Sequence, residues 1–234
     1  MNKAFLEFAE GVWLAASPVG FLGLQLTSTM SLLRLGDGSL LVHSPGPLTA
    51  ERRAAVEALG RVAHLYAPNL FHHLWIGDWA AAFPAARLHA PRGLTKKHPG
   101  LRVDRIHGVS PEPASPDPAF AGVLDELPIE GFRLRETALL HRSSRTLLVA
   151  DLIHNVGRPT HRWTALYTRA MGFYDRVALS RVLRWTAFDN RAAARRSIDG
   201  LLERSFDRLV VGHGQPLPEG GRDAIATGYG WLRG

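Results

Sequence analysis

The 234-residue chain has no cysteine, which excludes disulfide staples, thiolate metal ligands and thiol nucleophiles together. Any metal must therefore be held by His, Asp or Glu. Lysine is scarce as well: it occurs only at Lys3, Lys96 and Lys97, so arginine supplies nearly all the basic charge. The net charge of +7 would favour an anionic partner if it were focused on one face. Instead the arginines scatter over predicted helices, in keeping with an Ala-, Gly- and Arg-rich composition of the kind a GC-rich genome gives. Nucleic acid is not expected as a partner. No stretch reaches the roughly 18 uncharged apolar residues a membrane span needs. The early apolar run Val12–Ala16 follows Glu7 and Glu10 and is cut by Pro18, unlike a signal peptide. A cytoplasmic location is the resulting expectation.

Hydrophobic residues make up 46% of the chain, enough for one core without staples, and a single domain over residues 1–234 is expected. Apolar runs at Val12–Ala16, Ser28–Leu35 and Ser39–His43 read as strands, the last two joined by a Gly36-Asp37-Gly38 turn. Thr49 caps a predicted helix over Ala50–Leu59. A strand at Val62–Ala67, a helix over Leu74–Phe83 and a strand at Arg87–Ala90 follow. Residues 98–120 carry five of the fifteen prolines and predict an irregular connection. A second hairpin is expected from Phe132–Leu140 and Arg145–Asp151, then helices over Arg162–Phe173, Tyr174–Trp185 and Asn190–Glu203. A strand at Arg208–Val211 and a C-terminal helix complete the pattern. Two hairpin-rich halves, each followed by helices, imply an α/β four-layer αββα sandwich.

Polar clusters fall at the C-terminal ends of predicted strands, where α/β folds place ligands: His72-His73 after 62–67, Asp151 after 145–150, and His213 after 208–211. Imidazole with carboxylate suits zinc, manganese or iron. Glu136 pairs near Ala150 in the predicted hairpin, at the same sheet end as Asp151, as a ligand, an acceptor for an imidazole N–H or a general base. By the same register His141 lies at the far end. Asp78 reads as a surface charge on its helix and His154 as a lesser ligand candidate. The alternative reading has His72 capping a helix and His73 as a buried, hydrogen-bonded residue. The apolar stretch 18–24 can form a lip over a pocket or a homodimer contact, and the aromatics Trp163, Tyr167, Phe173, Tyr174 and Trp185 read foremost as a stripe packed on the sheet.

In order and spacing, the Met30–His43 hairpin ending in Ser44-Pro45, the Ala67–His73 segment, Arg145–Asp151 and Phe206–Gly214 resemble the metallo-β-lactamase superfamily, and within it a domain-of-unknown-function branch. The resemblance covers nearly the whole chain. The superfamily motif is HxHxDH, followed by a His, an Asp and a last His. With its final pair on His72-His73, the leading ligands fall on Pro68 and Leu70, or after a shift of one on Asn69 and Phe71. The middle ligand falls near Phe132. The resemblance thus implies that one metal position has lost its imidazoles. In the other, His73 matches the motif's last His, Asp151 the bridging Asp and His213 the closing His, with His72 in place of the motif's Asp. Ser44 stands where the superfamily has a supporting Asp, a departure that removes a prop from the site. One divalent metal, zinc ahead of iron or manganese, or none, is what this donor set implies. Two functions follow: a mononuclear hydrolase of a small-molecule substrate, with Asp151 or Glu136 taking the proton, or a non-catalytic binding or assembly module.

Overall fold

The computed structural model describes residues 4–108 and 116–232. Strands β1 (Leu6–Ala9), β2 (Val12–Phe21), β3 (Leu24–Arg34), β4 (Leu40–His43), β5 (Val62–Tyr66), β6 (Arg87–Pro91) and β7 (Arg105–His107) form a seven-stranded sheet in sequence order. A four-stranded sheet has the order β11 (Arg208–Val210), β10 (Thr146–Leu148), β9 (Thr137–His141), β8 (Leu124–Pro128). Helices α1 (Ala50–Leu59), α2 (Ile76–Ala82) and α3 (Leu94–Lys97) alternate with strands of the first sheet. Helices α4 (Arg162–Ala170), α5 (Arg181–Thr186), α6 (Arg191–Leu202) and α7 (Gly221–Gly228) follow in the second half.

Side chains on a strand alternate between faces, and that alternation sorts the apolar residues into three layers. Leu32, Val42 and Leu65 pack outward against Val56, Ile76 and Trp79 of α1 and α2. Their neighbours Leu33, Leu41 and Tyr66 face the other way and meet Leu139, Leu148 and Val210 of the second sheet. The outer face of that sheet, through Leu140, Leu147 and Leu209, packs on Ile198 and Leu201 of α6 and Ile225 of α7. The result is the four-layer αββα sandwich read from the sequence. Thr49 caps α1 by accepting from the Arg52 amide at 3.2 Å, as expected.

Several elements differ from the sequence reading. The early hairpin is longer, with β2 and β3 paired from Val12–Leu33 out to Phe21–Leu24, so the apolar 18–24 stretch is a hairpin tip. Pro18 is tolerated because β1 pairs only with residues 12–14 of β2, leaving an edge beyond that needs no N–H. β7 lies inside the expected irregular connection and is too short to show a period; residues 109–115 of that connection lie outside the described residues. β8 is an unexpected strand, since its acidic Leu-Asp-Glu-Leu-Pro run shows no enrichment in β-branched or aromatic residues. β9 begins only at Thr137: Arg135 adopts a left-handed conformation (φ 56°) that breaks the predicted strand, and Phe132 packs in the lower core with its ring 5.0 Å from Phe188. α5 starts at Arg181, where the Ser180 hydroxyl accepts from the Leu183 amide.

Backbone hydrogen bonds join the two sheets at one end: Thr29 N–H to Gly212 O (2.9 Å), Leu70 N–H to Leu134 O (3.0 Å) and Thr137 N–H to Pro68 O (3.0 Å). The loops after β5, β10 and β11 meet at that end.

Candidate metal centre

Three of the side chains singled out in the sequence converge there. His72 Nε2 lies 3.3 Å from His213 Nε2 and 3.5 Å from Asp151 Oδ1, and His213 Nε2 lies 3.3 Å from the same oxygen. Each belongs to a loop that leaves a strand, so rigid sheet ends set the triangle. Gly212 permits the approach: a Cβ there would lie 2.6 Å from Ala150 O and 2.6 Å from His72 Cε1. Gly214 adopts φ +104°, and a side chain there would collide with the Asn155 carbonyl.

The outer atoms of the triangle are anchored. His213 Nδ1 donates to Thr27 O at 2.8 Å; a carbonyl can only accept, so Nε2 presents its lone pair when the ring is neutral. Ser44 Oγ sits 2.8 Å from His72 Nδ1. Ser44 therefore supports the imidazole directly, which corrects the reading of this position as a lost prop, and its φ of 50° is a strained conformation at the site. Asn69 Nδ2 donates to Asp151 Oδ2 at 2.9 Å and to Glu136 Oε2 at 3.0 Å, while its Oδ1 accepts from the Phe71 and His72 amides. Asn69 entered the sequence reading only as a position where a ligand was missing; no local pattern marks it as the bridge.

Glu136 is buried behind Asp151. It accepts from the amides of Ala150 (2.8 Å), Asp151 (2.8 Å) and Leu152 (3.3 Å). Burial, with Asp151 close by, pushes its carboxyl up to about 7. It does not line the cavity onto which His72, Asp151 and His213 open, so it is placed to hold the β10 loop and not to take a proton from a molecule there. Asp151 itself is held well below the usual carboxylate range: burial opposes this, but the electrostatic pull of the His72 ring and hydrogen bonds from His213 and His72 outweigh it. His213 is correspondingly raised despite burial, through its hydrogen bond to Asp151.

His73 turns away from the triangle. Its Nδ1 lies 2.8 Å from His98 Nε2, and the ligand atoms that gather within 4.8 Å of one another are those of His72, Asp151 and His213. Adjacent residues diverge from the backbone here, so His72 enters the site and His73 packs beside it. His141 bonds Ser144 at the far end of its hairpin, 2.7 Å away, and Asp78 is exposed on α2. His154 is buried near His213, ring centroids 5.5 Å apart, and its Nδ1 has no hydrogen-bond partner among the described residues.

A second cluster was not foreseen: His64, His89 and Asp117 between the sheets also bring ligand-type atoms within 4.8 Å. Two guanidiniums already occupy it. Arg87 Nη1 lies 2.7 Å from Asp117 Oδ2 and Arg105 Nη1 3.2 Å from His89 Nδ1, so the charge a cation would supply is in place.

A family model described as a domain of unknown function, DUF4336, matches residues 9–195. Solved structures similar to this chain include a metallo-β-lactamase from Pontibacter korlensis (12% identity, 98% of each chain, TM-score 0.65). The metallo-β-lactamase FIM-1 from Pseudomonas aeruginosa in a mono-zinc form is another (12% identity, 98% of this chain and 94% of that one, TM-score 0.66). A metallo-β-lactamase from Erythrobacter litoralis, with β-mercaptoethanol in the active site, gives 15% identity, 98% and 95% coverage and TM-score 0.67. No curated protein matches the sequence. At such identities the likeness is one of fold.

Proposed function

The chain belongs to the DUF4336 family, a divergent branch of the metallo-β-lactamase fold, and from that premise we propose that it is a mononuclear metal-dependent hydrolase in which His72, Asp151 and His213 hold one divalent cation. One observation carries this reading. Donor atoms bound at 2.0–2.2 Å to a tetrahedral zinc lie roughly 3.3–3.6 Å from one another, and the three edges of the triangle are 3.3, 3.3 and 3.5 Å. Two imidazole nitrogens and a carboxylate also form a donor set suited to zinc, with iron or manganese as alternatives.

A bound divalent cation supplies a Lewis acid and lowers the pKa of water. The chain's own groups do the rest. Asn69 fixes Oδ2 of Asp151, leaving Oδ1 directed at the cluster as a ligand. Ser44 and Thr27 fix the two rings, and the cavity of about 490 Å³ over the cluster is walled largely by apolar side chains that exclude water.

The test is the metal content of protein purified without chelators, read by plasma emission spectrometry. We expect about one ion per chain, the count of a mononuclear site, its loss in His213→Ala, and its retention in His73→Ala. Equal content in the wild type and His213→Ala would reject the site and leave the binding-module reading ahead.

A further inference from the structure

The cavity over the triangle has a composition at odds with the rest of the surface. The chain carries 28 Lys and Arg residues, yet among the described residues no lysine, arginine or glutamate lines this cavity, and Asp151 is its only carboxylate. Its walls are Leu24 and Leu26 of the β2–β3 hairpin, Leu134, and Tyr167, Phe173 and Leu183 from the α4–α5 region. At the mouth, Phe21, Phe71, Leu74 and Val182 line the cavity while remaining 57%, 54%, 59% and 38% exposed. Large apolar side chains grouped around an opening mark a surface that a ligand covers.

The walls are held in place without a ligand. Gln25 N–H donates to Thr164 Oγ1 at 2.9 Å, and Trp163 Nε1 donates to Leu22 O at 3.3 Å. These bonds pin the hairpin tip to α4, with Trp163 against Gly23. The 18–24 stretch is thus a fixed wall of the cavity, and its volume of about 490 Å³ falls in the range that takes a small organic molecule.

We infer that the substrate is an uncharged acyl compound, an ester, thioester or lactone, whose carbonyl meets the His72–Asp151–His213 cluster and whose hydrocarbon chain lies between the β2–β3 hairpin and α4–α5. This rests on the hydrolase reading for the polar end alone. Away from the cluster, charge on the hydrocarbon chain itself would go unmet, since among the described residues no lysine or arginine lines the walls, and an unpaired charge in such walls is strongly disfavoured. A hydrocarbon chain gains about fourfold in affinity for each CH2 it buries.

The experiment separates the two readings. Metal-free and metal-loaded protein are titrated calorimetrically with uncharged methyl ketones from 2-hexanone to 2-decanone, which cannot be hydrolysed. We expect affinity to rise about fourfold per CH2 in both forms. The gain should vanish when the far end of the chain carries a carboxylate or a trimethylammonium group. Phe71→Ser and Val182→Ser, at exposed positions that folding tolerates, should weaken the gain, and Trp185→Ser, exposed but outside the cavity, should leave it intact. Affinity independent of chain length, with metal still retained, would overturn this inference and spare the metal site. Chain-length dependence without metal retention would keep it and sink the hydrolase. Adsorption to phosphatidylcholine vesicles with no affinity for the soluble ketones would also overturn it, since the mouth would then be a surface anchor.

Discussion

Lowering the pH from 8 to 5 tests the layer between the sheets, where His43, His89 and His107 are buried and neutral. His107 Nε2 donates to Ala67 O at 2.8 Å, so its Nδ1 accepts from Thr137 Oγ1. His89 Nδ1 faces Arg105 and must accept, leaving its Nε2 to donate to His64 Nδ1 at 2.8 Å. Neither His107 nor His89 has room for a second proton, and among the described residues neither nitrogen of His43 has a hydrogen-bond partner. Burial, with imidazole rings beside His43 and the Arg105 guanidinium beside His107 and His89, lowers His43 and His107 to about 3 and His89 to about 2. A group whose folded pKa is depressed in this way contributes stability that is complete above the unfolded value near 6.5 and is lost as pH falls below it. At 1.36 kcal/mol per pH unit, each ring forfeits about 2 kcal/mol by pH 5, so the three together forfeit about 6. Glu136 acts in the opposite direction: raised to about 7, it returns about 2.5 kcal/mol over the same interval. His154, buried beside His213 and also lowered to about 3, forfeits about 2 kcal/mol more, so the net loss of about 5.5 kcal/mol is a large share of the ~5–15 that a folded domain has. Urea unfolding followed by circular dichroism at pH 8, 6.5 and 5 measures it directly, and His89→Gln should flatten the dependence by about a third. A change below about 1 kcal/mol across that range would show that these imidazoles are charged or solvated in the fold, and the reasoning would fail.

Three further outcomes follow from the site. Ser44→Ala removes the partner of His72 Nδ1 and should weaken metal affinity by about 10–100-fold, measured by competition with a chromogenic chelator. Gly212→Ala puts a methyl 2.6 Å from His72 Cε1 and the Ala150 carbonyl; we expect about 1–3 kcal/mol of destabilisation together with lost metal, and an unaltered metal affinity would contradict the close approach. Glu136→Ala strips the acceptor from three backbone amides and Asn69, and thermal unfolding should report a cost of about 3 kcal/mol or more, with Glu136→Gln costing less.

Residue chemistry along the chain was sufficient for the layer order and for most of the site. Apolar runs at β3, β4 and β9 mark strands covered on both faces, as the middle layers of a sandwich must be, and the Thr49 cap and Gly36–Gly38 turn are local signals complete within a few residues. His72, Asp151 and His213 were legible for the same reason, each following a strand whose end is marked. Tertiary structure decided what depends on atoms far apart in sequence. His72 and His73 are indistinguishable as neighbours; only the positions of Gly212 and Ser44, 140 and 28 residues away from His72, select one ring for the triangle. Glu136 looked like a base at the right sheet end, but its depth behind Asp151 follows from the left-handed Arg135 and the course of the β10 loop. The cavity's apolar lining comes from segments that share no local pattern, because a wall is assembled from whichever faces of separate elements the packing turns inward.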